Sequence, residues 1–150
     1  MNEEYFKDSN GEYITYIGPA RCAFWAVLAK VILPDSIERI DSLAFTNCPY
    51  LGKISLSSEL KYIGTGAFSG DNLSVPLVIP SKVETIESAA FSSTNLTEVT
   101  FKGKPIAISN DCFYNCNNLT LIRVPWAEGE VEGAPWGASE TNIEYEYAGE

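Results

Sequence analysis

The sequence predicts a solenoid of stacked repeats, in which each copy adds one short strand to a parallel sheet. The first observation is a column of phenylalanines at steps of 23, 23 and 22 residues, formed by Phe45, Phe68, Phe91 and Phe113. The second is a leucine five or six residues after each phenylalanine, and the third is an apolar pair with a spacing of two residues after that leucine. A spacing of two is typical of a strand, and a period of roughly 20 to 50 residues is typical of a repeat protein.

The amino-terminal segment, residues 1–20, is predicted to be a capping hairpin. Two aromatic-rich runs within "YFKDSNGEYITYI" flank Asn10 and Gly11. An Asn-Gly pair between such runs is a strong hairpin signal. Because an open solenoid exposes its core at both ends, a cap is expected at this position.

Residues 21–125 carry the repeats of 22–23 residues, and we expect about five short parallel strands on the concave face. The expected strands contain Val31, Ile54, Leu77, Val99 and Ile122. The first copy is degenerate around "GPARCAFWAV", the third gains a residue at Pro76, and the fourth loses one at "GKPIAI". The last two changes are expected to disturb the register locally.

The segments that join the repeats are predicted to form the convex side. An isoleucine precedes each phenylalanine by five residues, and this column comprises Ile40, Ile63, Ile86 and Ile108. The residues between the isoleucine and the phenylalanine are small, polar and few. They suffice for one helical or 3-10 turn but not for a long helix.

The last segment, residues 126–150, is predicted to be an acidic cap with a strand. It breaks the repeat and places Trp126 and Trp136 each after a proline. Near its end, the alternating pattern "IEYEY" is typical of a strand. The whole chain, residues 1–150, is expected to be a single domain.

Two stretches carry a family resemblance, "LPDSIERIDSLAFTNCPYLGKISL" and "IPSKVETIESAAFSSTNLTEVTF". They resemble the BspA-like, or Treponema-type, leucine-rich repeat, and the resemblance covers residues 31–125. It implies a leucine-rich repeat solenoid of the α/β type, and a role in surface adhesion in bacteria or tail-associated recognition in phages. The C-terminal segment is similar to the terminal segment of leucine-rich repeat proteins encoded by phages and prophages of gut bacteria.

The composition describes an acidic chain with room for one core. Its 150 residues are 45% apolar, and 10 basic against 20 acidic residues give a net charge of −10. This charge argues against direct nucleic-acid binding, and against attachment to an anionic membrane through a basic face. The absence of histidine excludes every mechanism that depends on an imidazole.

No signal peptide and no membrane span are expected. The first twenty residues are polar and acidic, whereas a signal peptide begins with a basic stretch followed by an apolar run. The apolar stretch "CAFWAVLA" is far shorter than the ~20 residues that a membrane span needs. We therefore expect a protein that is made in the cytoplasm, or one that reaches the surface of a virion or tail if it is phage-encoded.

The four cysteines are predicted to be free thiols in the packed interior. Cys48 and Cys116 each precede a leucine by three residues. Other copies have Gly70 or Ser93 at that place, so the column favours a small residue. The two thiols lie three repeats apart, which is too far for a disulfide. A zinc site would need four ligands, and without histidine we expect no metal and no other cofactor.

The outward positions beside the predicted strands form the candidate binding face. It comprises Lys30, Ile32, Lys53, Ser55, Val78, Glu98, Thr100, Leu121 and Arg123. Trp126 and Trp136 could extend it as an aromatic recognition platform, or they could only cover the last repeat. The face has no convergent carboxylate pair, no Ser or Cys beside a base, and no glycine-rich phosphate loop, so catalysis is not expected.

Two functions are compatible with the sequence. The favoured one is a non-enzymatic binding module that recognises a protein or glycan through the concave sheet, as in phage or bacterial surface recognition. The alternative is an intracellular phage or bacterial inhibitor or adaptor that engages a basic host protein. Its docking site would be the acidic end, at Glu128, Glu130 and Glu132, because seven glutamates and no basic residue follow Arg123.

Overall fold

The computed structural model describes Met1 and residues 3–149, which fold into a β-solenoid of about six turns. The elements of this part of the chain are a 3-10 helix η1 (Glu3–Phe6) and the short strands β1 (Tyr16–Ile17), β2 (Lys30–Ile32), β3 (Arg39–Ile40), β4 (Lys53–Ser55), β5 (Tyr62–Ile63), β6 (Leu77–Ile79), β7 (Thr85–Ile86), β8 (Glu98–Phe101), β9 (Ala107–Ile108), β10 (Leu121–Arg123) and β11 (Asn142–Glu144). No helix within these residues is long and apolar enough to cross a membrane.

Sheet I consists of the even-numbered strands and β11, and it contains the five predicted strands. The predicted register is confirmed for most steps, since Val31 lies opposite Ile54, and Val99 lies between Leu77 and Ile122. All of these pairings are parallel. The inward side chains of the five predicted strands are buried in the core.

The prediction of one continuous sheet is wrong at the step from β4 to β6. Sheet I divides there into the pair β2-β4 and the set β11-β10-β8-β6. The extra residue at Pro76 lies at this step, and a proline has no N–H to donate to a neighbouring strand. The Ser74 N–H still donates to the Gly52 carbonyl at 3.2 Å, so the two coils stay together without a ladder.

Sheet II is a second parallel sheet, with the strand order β1-β3-β5-β7-β9, and the sequence did not predict it. Each strand has two residues, and the isoleucine column supplies the second of them. Ile17 begins the column and pairs with Ile40. A two-residue strand is too short to show an alternating pattern, so periodicity could not detect it. Because β1 lies in the segment predicted to be a cap, that segment also supplies part of the first coil.

The helical turns predicted for the convex side are absent from the described coils, where η1 is the one helix and lies before β1. Turns that bond to the next coil replace them. The Phe45 N–H, for example, donates to the Ala67 carbonyl at 2.8 Å. Two residues before and two after Phe45, the backbone is left-handed, with φ of 60° at Leu43 and 55° at Asn47. Such residues interrupt a right-handed helix.

The phenylalanine column forms a continuous stack through the core. Phe45 and Phe68 have ring centroids 5.3 Å apart, Phe68 and Phe91 5.2 Å, and Phe91 and Phe113 5.7 Å, all with stacked rings. The four side chains are fully buried. In the first coil Cys22 takes the phenylalanine place, since its N–H donates to the next coil at 2.7 Å as the equivalent Phe45 N–H does.

A second buried column lies three residues after each phenylalanine. It consists of Cys48, Asp71, Thr94 and Cys116. This corrects the predicted alignment, because Gly70 and Ser93 instead share the left-handed turn position of Asn47. Polar atoms in the column bond between coils, as where the Cys48 N–H donates to Asp71 Oδ1 at 2.7 Å.

All four cysteines are buried free thiols in the structure. Burial raises the pKa of Cys22, Cys112 and Cys116 above the ordinary value, and raises that of Cys48 to about 11. A thiol must ionise to act as a nucleophile or metal ligand. These cysteines therefore serve as small core residues.

Asp71 is the acidic member of the buried column. Its Oδ1 accepts the Cys48 N–H, whereas its buried Oδ2 has no hydrogen-bond partner. Burial raises the pKa of Asp71 to about 8, and the hydrogen bond from Cys48 only partly opposes this shift. The carboxyl group is therefore mostly protonated in the folded protein at neutral pH.

The amino-terminal segment is a short hairpin that covers the first coil. The Asp8 N–H donates to the Glu12 carbonyl at 2.8 Å, and one antiparallel bridge joins Lys7 to Tyr13. Phe6 is fully buried against the core. The hairpin is therefore anchored by this side chain and has little ladder of its own.

We expect Phe68→Ala to lower the free energy of unfolding by roughly 3 to 5 kcal/mol, because it removes the ring that stacks on both Phe45 and Phe91. Urea denaturation followed by circular dichroism measures this loss. Tyr114→Ala is the control, since that ring is 64% exposed and its removal should change the midpoint little. Equal midpoints for Phe68→Ala and the parent would show that the column does not form the core.

We expect Asp71→Asn to stabilise the protein above about pH 8 and to change little near pH 4. In the unfolded chain the carboxyl ionises with its ordinary pKa of 3.8, whereas in the folded protein it keeps its proton to about pH 8. The folded state binds more protons between these values, so stability falls as the pH rises through this window. The asparagine variant should lack this loss, which thermal melts across the pH range measure.

Asp35→Asn is the matched control for this effect. Hydrogen bonds from Ser58 lower the pKa of Asp35, which is the opposite direction. That substitution should give no gain at high pH. A parent protein whose stability does not fall between pH 4 and pH 8 would contradict the assignment to Asp71.

Candidate functional site

The predicted binding face is the outward side of sheet I, and the strands bring its members together in register. Lys30 lies opposite Lys53 and Ile32 opposite Ser55. Farther along, Val78 lies opposite Thr100, Glu98 opposite Leu121, and Thr100 opposite Arg123. The face has two halves, because the sheet is interrupted between β4 and β6.

The amino-terminal half of the face carries two lysines without an ion pair. Lys30 and Lys53 are exposed and directly paired, and neither has a salt bridge within the described residues. By contrast, six of the ten basic side chains do: Lys7, Arg39, Lys61, Lys82, Lys104 and Arg123. Like charges directly opposite each other destabilise a sheet. This pair is therefore a local positive site on an acidic protein.

Exposed aliphatic side chains lie beside the two lysines. Ile32 is 53% exposed and Val78 is 48% exposed. A cavity of about 290 Å³ opens where the sheet divides, and its lining includes Lys53, Pro76 and Val78. The missing ladder thus produces a groove on the face.

The carboxy-terminal half of the face is closed by its own ion pairs. Arg123 binds Glu98 at 2.8 Å and Glu144 at 3.0 Å, and it stacks on Tyr147 at 5.4 Å from the ring centroid. The hydrogen bond to Glu98 contributes most to holding the pKa of Arg123 above its ordinary value. A ligand at Arg123 would have to displace these partners.

The two tryptophans are not available as a recognition platform, and this corrects one of the two predictions made for them. Trp136 is fully buried and Trp126 is 4% exposed. They pack against each other at 6.3 Å between centroids, and against Phe101 at 5.8 and 5.4 Å. Their role is to cover the last coil, and they are therefore not part of the candidate binding face.

The acidic end is exposed and lies beside the end of sheet II. Glu130 binds Lys104 at 2.7 Å, whereas Glu128 and Glu132 have no salt bridge in the described part of the chain. The Trp136 indole N–H donates to the Glu132 carbonyl at 2.9 Å. The buried tryptophan therefore holds the acidic loop in place.

One exposed feature was missed by the sequence reasoning. On the outer side of sheet II, the Arg39 guanidinium lies 3.8 Å from the centroid of the Tyr62 ring, and its Nε donates to Asp41 at 2.6 Å. Tyr16, in the same row, is 55% exposed. The signal was a tyrosine directly before an isoleucine of the column, at Tyr16 and Tyr62.

The described residues hold no group of three or more His, Cys, Asp or Glu side chains that could bind a metal ion. The thiols are buried and protonated, and the face presents ion pairs, aliphatic side chains and lysines. This arrangement can bind a partner through charge and apolar contact.

The fold and this face define a class of protein, a short parallel β-solenoid whose surface is suited to recognition. A family model, the BspA type leucine rich repeat region in six copies, matches residues 6–127. The chain therefore belongs to the BspA-type leucine-rich repeat family, whose repeats are typically non-enzymatic binding domains. No curated protein matches the chain.

Proposed function

We propose that this chain binds a protein ligand through the amino-terminal half of the sheet I face. The observation that carries the proposal is the unpaired Lys30 and Lys53 beside the exposed Ile32 and Val78. Lysines that lack carboxylates in a chain of net charge −10 suit an external acidic group. The groove beside Val78 suits an apolar side chain of the same ligand.

The side chains of this half favour a protein over a glycan. A glycan site would be expected to present aromatic side chains, because these offer a large flat surface with a polar edge. The outward residues of β2, β4 and β6 are lysine, isoleucine, serine and valine, and the tryptophans lie buried at the other end. Aliphatic and ammonium groups fit a protein segment that combines acidic and apolar residues.

The setting we propose is recognition at a bacterial surface or by a phage particle. The family supports the bacterial surface, and the phage particle is included because of the resemblance proposed for the C-terminal segment from its sequence. The chain would be made in the cytoplasm and would act wherever its ligand is displayed.

A second candidate function is an inhibitor or adaptor that docks a basic partner on the acidic end. The unpaired, exposed Glu128 and Glu132 favour it, together with the lack of basic residues after Arg123. Exposed charges attract an oppositely charged partner over about 8 Å at physiological salt. This site is separate from the lysine face.

We expect the combined substitution Lys30→Glu and Lys53→Glu to weaken ligand binding at least tenfold, or by about 1.4 kcal/mol. The probes are peptides selected from a random library on the immobilised 150-residue chain, and we expect them to combine acidic with apolar residues. Affinities come from fluorescence anisotropy. Both lysines are exposed, so the melting temperature should not change.

The control pair is Lys61→Glu with Lys82→Glu, which makes the same change in net charge elsewhere. These lysines form exposed ion pairs with Glu38 and Glu59, and such pairs contribute little to stability. The control should bind the selected peptides as the parent does. Equal losses in both double variants would mean that net charge and not this face binds the ligand.

For the acidic end, we expect a short oligolysine peptide to bind at low salt and to dissociate as the salt concentration rises. Neutralising Glu128, Glu130 and Glu132 to glutamine should abolish this binding, because the three carboxylates lie together in the acidic loop. Calorimetry over a salt series measures it. Binding that persists in the triple variant would rule out this second function.

A further inference from the structure

Sheet II ends at β9 with an unpaired edge, whereas sheet I continues into the cap. The order of sheet II is β1-β3-β5-β7-β9, and no later described strand joins it. In contrast, β11 pairs with β10 and extends sheet I. The last coil of the solenoid is therefore incomplete on one side.

The groups that this edge offers follow from the repeat itself. In an inner coil the Glu38 carbonyl accepts the Lys61 N–H, and the Ile40 carbonyl accepts the Gly64 N–H, both at 2.8 Å. The equivalent carbonyls in the last coil belong to Ile106 and Ile108, and no backbone N–H of the described residues donates to either.

The Ile108 N–H belongs to the same edge. On either side of it, the Ala107 N–H donates to the Glu84 carbonyl, just before β7, at 3.0 Å, and the Ser109 N–H donates to the Ile86 carbonyl of β7 at 2.9 Å. Successive N–H groups of a strand point to opposite sides. The Ile108 N–H therefore points to the open side, so the edge presents two acceptors and one donor.

A groove runs along this edge. Its cavity of about 600 Å³ is bounded by Ile106 and Ala107 on one side and by Glu130, Val131 and Glu132 on the other. Ile106 is 83% exposed. The groove therefore combines an unpaired strand edge with an apolar side chain and an acidic rim.

The outer wall of the groove is held in place by the core. The Trp136 N–H donates to the Gly133 carbonyl at 2.8 Å, and its indole N–H donates to the Glu132 carbonyl at 2.9 Å. Gly133 lies against the Asn110 side chain, which an added side chain would have to displace, and its φ of 83° favours glycine. The wall is thus preformed, and binding a strand would not require it to become ordered.

We propose that this groove binds an extended peptide segment of a partner protein, which adds to β9 as a further strand of sheet II. The segment donates to the Ile106 and Ile108 carbonyls and accepts the Ile108 N–H. One apolar side chain of the segment packs between Ile106 and Val131, and a basic side chain faces Glu132. Addition of a strand to an open sheet edge is a common mode of peptide recognition.

The basic character of the segment follows from the rim, where Glu132 is exposed and Glu130 is already bound to Lys104. A second copy of this chain fits less well. Its open edge at β1 lies in a groove of its own, bordered by Lys7 and Asp8 of the capping hairpin. Two recessed edges would meet through their caps before reaching the ~4.8 Å spacing of paired strands.

The site is separate from the lysine face. It shares Glu130 and Glu132 with the acidic end of the second candidate function. Its distinguishing feature is the set of backbone hydrogen bonds, which a purely electrostatic docking does not need.

The test uses the labelled 150-residue chain and a peptide of alternating threonine and valine with one lysine at its end. We expect peptide-induced NMR shifts at Ile106, Ile108 and Val131, and at least tenfold slower hydrogen exchange of the Ile108 amide. A peptide that is N-methylated at alternate residues on its pairing edge lacks the donors and should bind at least tenfold more weakly. Ile106→Lys should weaken binding similarly.

Val27→Lys is the matched control, because Val27 is 80% exposed and lies on a different coil. It should leave peptide binding unchanged. Equal binding of the N-methylated peptide, or no shifts at the three residues, would overturn strand addition and leave any charge-driven docking to be judged by the oligolysine series. Concentration-dependent association of the protein alone, abolished by Ile106→Lys, would also overturn the proposal, because a second copy would then be the occupant.

Discussion

Each coil of this solenoid depends on the next coil, because 22–23 residues cannot bury an apolar edge by themselves. The phenylalanine stack supplies the apolar part of this dependence, with ring centroids 5.2 to 5.7 Å apart from Phe45 to Phe113. Backbone hydrogen bonds between neighbouring turns supply the polar part, as from the Phe68 N–H to the Ala90 carbonyl at 2.8 Å. Left-handed residues on both sides of the phenylalanine aim these groups at the next coil and not along a helix.

The same dependence explains why the places suited to binding lie where the repeat is imperfect. An additional residue at Pro76 interrupts the ladder between β4 and β6 and opens a groove on the face of sheet I. The carboxy-terminal segment completes sheet I through β11 but leaves sheet II open at β9. In a perfect stack, the next coil would satisfy these backbone groups. Each irregularity leaves groups that a partner can satisfy.

Charge follows the repeat as well. Lys61 binds Glu38 and Lys82 binds Glu59, in each case across 23 residues, so these ion pairs join neighbouring coils at the surface. Such exposed pairs add little stability individually, but they neutralise most of the basic residues of an acidic chain. Exposed lysines without an ion pair are therefore in the minority among the described residues. Lys30 and Lys53 face each other on sheet I without a carboxylate, although the protein carries twice as many acidic as basic residues.

The sequence by itself determined the repeat and the register of most of sheet I. The apolar residues that recur in each copy, such as Phe68 and Leu77, indicate which side chains must enter the core. The sequence also placed the cysteines in that core. Only the tertiary structure decided the rest, since it depends on bonds between coils that leave no periodic signal. A two-residue strand such as β5 has no alternation, and a left-handed Leu43 is not recognisable from its side chain. Whether Arg123 is free or held between carboxylates, and whether Trp136 covers the core or faces solvent, likewise depends on where a distant segment packs.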